Sequence, residues 1–86
     1  MFFYKKTEQY YINRLISIDK ECWRSRVSEI DCWIKLKKEL NKMKLNIYDH
    51  PFLYNFREKS AYVNSHYEAR ELLIELYDYR RYLNNR

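Results

Sequence analysis

The chain runs for 86 residues without one glycine and with a single proline, Pro51. Glycine supplies the positive-φ conformations that tight hairpin turns favour. A multi-stranded sheet would have to turn repeatedly without it. Helices joined by one or two short connections fit better. The expected fold class is therefore all-α: an antiparallel helical hairpin or a small helical bundle.

Apolar spacing supports this. Ile12, Leu15, Ile16, Cys22, Trp23, Val27, Ile30, Trp33, Ile34 and Leu40 fall on one side of a helical wheel. The spacing predicts a helix over about residues 7–45. Thr7 is suited to cap its start, with Glu8 in the first turn. The stretch "SRVSEID" holds Ser25, Ser28 and Asp31, a second capping signal at which the helix could kink or break. A connector is expected over about 46–54, because Pro51 disfavours helix at His50 and suits a first helical turn after it. A second helix is expected over about 55–84, interrupted or not near residue 64, where Ser65 and Glu68 form a capping box. Tyr62, His66, Ala69, Leu73, Leu76, Arg80 and Leu83 are spaced as a heptad-like seam. Glu68, Glu71, Glu75 and Asp78 form a ridge opposite the leucines. An acidic ridge repels phosphate, so this helix reads as a bundle element, not a nucleic-acid stripe.

A chain this short makes one domain, here residues 1–86, with a modest core. Ile, Leu and Val number only 18, against ten tyrosines. Small domains often supplement thin cores by association, so a homo-oligomer or a large partner is expected. Trp23 and Trp33 are assigned to structure. So are Asp19 and Arg80, each a charge inside an apolar face. In a hairpin turning near residue 50 they would meet as an ion pair.

The two cysteines, Cys22 and Cys32, would lie about 15 Å apart on one helix, too far for a disulfide. Reduced thiols and a cytoplasmic location follow as expectations. "MFFYKK" is too short an apolar run for a signal peptide, and nothing approaches a membrane span. Phe2 and Phe3 are expected to pack over the helix start rather than to hold a membrane surface. Cys22, Cys32, His50 and His66 lack the short ligand spacing of zinc sites. No nucleophile–base–orienter set is legible. No metal, no cofactor and no catalytic residue is expected.

Net charge is +5, and all of it lies in residues 1–44. "KLKKELNKMK" (residues 35–44) is the strongest basic run. Lys37, Lys38 and Lys42, with Tyr48, Tyr54 and Arg57 near the connector, combine cations and rings. That mixture serves protein hot spots and single-stranded nucleic acid alike. Tyr79 and Tyr82 form a second candidate binding patch.

The function expected is a small non-enzymatic binding protein that regulates or inhibits a larger protein machine or protein–nucleic acid complex. Phe, Tyr, Met, Ile, Asn and Lys total 39 residues; Gly, Ala, Arg and Pro total 11. That bias toward AT-rich codons suggests a phage or mobile-element gene, for instance an anti-defence protein of the anti-CRISPR type. The alternatives are a nucleic-acid-binding regulator using the basic 35–59 region and a purely structural oligomer subunit.

Overall fold

A computed structural model describes residues 6–85; helices take up 76% of them, and none is in a strand. Four helices follow in order: α1 (Glu8–Arg24), α2 (Glu29–Lys42), α3 (Pro51–Ser60) and α4 (His66–Asn85). The all-α class holds, as a four-helix bundle rather than a two-helix hairpin.

Each helix start has a local cause. Thr7 Oγ1 accepts from the Tyr10 N–H at 3.1 Å and caps α1. Ser28 Oγ accepts from the Asp31 N–H at 3.2 Å and caps α2. Pro51 opens α3 at a position that needs no N–H donor. Ser65 Oγ accepts from the Glu68 N–H at 3.1 Å, while the Glu68 carboxylate accepts from the Asn64 N–H at 3.3 Å. This is a capping box shifted by one donor.

The long helix expected over residues 7–45 is corrected to two helices. The chain breaks at 25–28 in a Schellman turn: the Val27 N–H donates to Cys22 O at 3.0 Å, and the Arg26 N–H to Trp23 O at 3.3 Å. This turn needs one left-handed residue, which is usually glycine. With no glycine in the chain, Arg26 takes the position at φ 56°. That conformation costs a side-chain-bearing residue roughly 1–2 kcal/mol.

The helix expected over 55–84 is likewise two elements, parted at residues 61–65. The connector spans 43–50 rather than 46–54. Asn46 organises it: its Oδ1 accepts from the N–H groups of Tyr48 and Asp49, and its Nδ2 donates to Asp49 Oδ2.

Side-chain contacts give the helix directions. Arg14 bonds Glu39 at 2.9 Å, and Cys32 reaches Asp19, so α2 returns antiparallel to α1. Phe52 stacks on Tyr79 at 4.2 Å, and Lys59 pairs with Glu75, so α4 returns along α3. Ile12, Leu15, Ile16, Leu40, Leu53 and Leu76 are sealed between the helices. The heptad seam needs correction at its start. Tyr62 lies outside any helix and is exposed, as is His66 at the first residue of α4; burial on α4 falls on Ala69, Leu72 and Leu76. The acidic ridge of Glu68, Glu71, Glu75 and Asp78 is exposed as expected.

Two buried polar residues lock the end where α1 and α3 begin. Glu8 was expected only to complement its own helix. Its carboxylate instead accepts from the Leu53 N–H in the first turn of α3 and from the Tyr79 hydroxyl, both at 2.9 Å. One carboxylate thus caps a second helix in trans and ties α4 to both. His50 Nδ1 accepts from the Asn46 N–H, so its proton is on Nε2, which donates to Lys6 O at 2.7 Å.

Candidate interaction groove

At the opposite end, the break between α1 and α2 opens a groove against α4. Its volume is about 930 Å³, the size of a small-molecule site. Trp23, Val27, Trp33, Leu73 and Ile74 supply its apolar lining. The reason is local. The Schellman turn swings α2 back beside α1, and Trp23, in phase with Ile12 and Ile16, is the last residue but one of α1, where that inward face runs out at the groove mouth. It is 71% exposed. The sequence placed it at the centre of the apolar face, and that is corrected. Its phase on α1 is inward, but the helix ends one residue later and no neighbour covers it. For Ile30 and Ile34, wheel angles carried across 25–28 presuppose a continuous helix, which the chain does not form there. Trp33 stays half-buried, and Ile30 and Ile34 point outward from α2.

Asp19 lies on the groove floor, 6% exposed. Its Oδ2 accepts from the Tyr77 hydroxyl at 2.6 Å and its Oδ1 from the Cys32 thiol at 3.5 Å. The expected Asp19–Arg80 ion pair is not formed: among the described residues no ion pair involves Asp19. The expectation assumed a hairpin with one turn near residue 50, and the bundle has three turns. The position facing Asp19 is Tyr77, nearly one helical turn earlier on α4. Burial first, then the hydrogen bond to Asp19, pushes the Tyr77 hydroxyl well above the ordinary tyrosine value; Arg80 opposes this from nearby.

Cys22 and Cys32, both free and buried, also meet here. Burial raises the Cys32 pKa most, and a hydrogen bond with Cys22 raises it further. The separation of about 15 Å expected on one helix is therefore corrected; the break brings the two thiols together. Its raised pKa makes the Cys32 thiol a poor nucleophile.

Across the mouth, His66 Nε2 contacts the Glu29 carboxylate, and Arg70 joins the same carboxylate at 3.7 Å. These contacts hold the start of α4 to the start of α2. Among the described residues no group of three or more His, Cys, Asp or Glu is placed to hold a metal ion.

The sequence-picked binding residues are divided by the structure. Arg57 Nη1 donates to Met43 O at 3.2 Å, closing the end of α2, and its guanidinium sits 5.8 Å over the Tyr54 ring. Tyr79 is held between Glu8 and Phe52. Arg57 and Tyr79 thus serve the fold. Lys38, Lys42, Tyr48 and Tyr82 are exposed, while Lys37 and Tyr54 are half-buried. The packing expected of Phe2 and Phe3 lies outside the described residues.

No protein-family model matches the chain, and no curated protein or solved structure gives a significant match. The class rests on the fold and the groove alone: a small four-helix protein with a tryptophan-lined groove at one end. No described helix is long and apolar enough to cross a membrane.

Proposed function

We propose that this chain is a non-enzymatic binding protein that docks on a larger protein through the groove between α1, α2 and α4, and so regulates or blocks it. The observation that carries this reading is Trp23, 71% exposed at the groove mouth. An indole held in water forgoes about 1.5–3 kcal/mol of burial energy, and tryptophan, tyrosine and arginine anchor protein interfaces. Tyr67 and Ile74, both more than half exposed, extend the same apolar surface. The residue supporting the mouth, Arg26, holds a left-handed backbone, and such strain gathers at functional sites.

The nucleic-acid reading keeps one favourable observation. Tyr48 is 91% exposed beside exposed Lys42 and Lys44. The two readings differ in salt response and in the residues they need.

The test is affinity capture from cells that carry the gene, comparing the unaltered chain, Trp23→Ala and the double variant Lys38→Glu/Lys42→Glu. A protein retained at 0.5 M salt and lost with Trp23→Ala supports groove docking. Capture that is nuclease-sensitive, falls steeply with salt and is lost only with the lysine variant supports nucleic acid instead.

A further inference from the structure

Resting on groove docking, we propose that the groove receives an arginine side chain of the partner protein, its guanidinium pairing with Asp19 between Trp23 and Trp33.

Asp19 is a nearly buried carboxylate on the groove floor whose bonded partners are both neutral, a phenol and a thiol. Burying a carboxylate without a cation is costly. Two hydrogen bonds leave lone pairs on both oxygens free to accept more. The chain's own arginines do not fill this role. Arg70 is drawn to Glu29 and Arg81 to Asp78, each at 3.7 Å. Arg80 acts on Tyr77 electrostatically but forms no ion pair with Asp19.

The lining favours a cation over an anion. In a chain of net charge +5, the groove gathers Asp19, Glu29, Glu71 and Asp78 against Arg26, Arg70, Arg81 and His66. Glu29 is taken by Arg70 and His66 and Asp78 by Arg81, which leaves Asp19 and Glu71 against Arg26. Two indoles add ring faces that attract cations. Arginine suits the site better than lysine, because a planar guanidinium can stack on an indole while donating two parallel bonds to one carboxylate. A groove of about 930 Å³ exceeds a single side chain, so the apolar neighbours of that arginine on a protein segment fill the remainder.

Capped arginine (N-acetylarginine methylamide) is titrated to millimolar concentration into the ¹⁵N-labelled chain, following the indole N–H signals of both tryptophans. The matched probe is the citrulline analogue, which keeps the shape and removes the charge. Arginine is expected to shift both indole signals and to bind at least five-fold more tightly than citrulline. Asp19→Asn should remove that preference, with the amide spectrum confirming its fold. Trp23→Ala, an exposed position, should weaken arginine binding without touching the fold.

Equal binding of both probes at the tryptophans would overturn the cation assignment and leave groove docking standing. No shift with arginine would overturn it as well, while the capture experiment still decides docking separately. Binding that survives both Asp19→Asn and Trp23→Ala would place the cation elsewhere and overturn this site.

Discussion

The Tyr77 hydroxyl donates to Asp19 Oδ2 at 2.6 Å, joining the middle of α4 to the last third of α1. This bond, with the Cys32 thiol and not an ion pair with Arg80, is what the buried carboxylate has within the chain. A double-mutant cycle of Asp19→Asn with Tyr77→Phe should show a coupling of about 1–2 kcal/mol in urea unfolding. The cycle of Asp19→Asn with Arg80→Gln should be nearer to additive. The reverse ranking would mean that Arg80 is the partner in solution.

Arg26 is the one described non-glycine residue at positive φ. Arg26→Gly should stabilise the chain by about 1 kcal/mol, because the left-handed strain at this Schellman position disappears. Some of the gain is offset by the freer unfolded chain. The melting temperature should rise by a few degrees. A fall would mean that the α1–α2 turn does not take this conformation.

Glu8 holds three helices at one point. Glu8→Ala leaves the buried Leu53 N–H and the Tyr79 hydroxyl without their acceptor, which should cost about 2–4 kcal/mol. Glu8→Gln keeps one acceptor oxygen and should cost less. Equal losses for Glu8→Ala and an exposed control such as Glu58→Ala would show that the tie does not form.

Alkaline pH should unfold the chain early. Cys32 and Tyr77 both hold their protons above the ordinary values of 9.0 and 10.0. The unfolded chain loses these protons first, so the stability they contribute is complete below about pH 9 and drains away as pH rises past 9 and then 10. The urea midpoint should fall between pH 8 and pH 11, and Tyr77→Phe should flatten the upper part of that fall. A midpoint that is level, or that rises, over this window would contradict the burial of both groups.

Self-association is a further expectation. The outward Ile30 and Ile34 with Trp23 leave apolar area uncovered on a small domain. Light scattering at micromolar concentration should give a mass near twice 11.0 kDa or above. Trp23→Ala with Ile34→Glu should return it to the monomer. A monomer for the unaltered chain would leave this surface to a different partner.

The all-α class was legible because its signals are local. The missing glycine, the caps at Thr7, Ser28 and Ser65, and Pro51 at a helix start each act within one turn of chain. The candidate site was much less legible. Lys38, Lys42 and Tyr48 could be picked as exposed from composition, but Arg57 and Tyr79 could not be recognised as internal ties. Their partners, Met43 O and the Glu8 carboxylate, are set by packing between helices. The groove was hidden for a related reason. Helical phase carries meaning only along an unbroken helix, and the same apolar spacing fits one long helix or two. Only tertiary packing decides between them, by allowing Arg26 its left-handed turn so that Leu36 and Leu40 can close over Ile12 and Leu15. That turn ends α1 just past Trp23 and brings Cys22 to Cys32, and the three turns together set Asp19 against Tyr77 instead of Arg80.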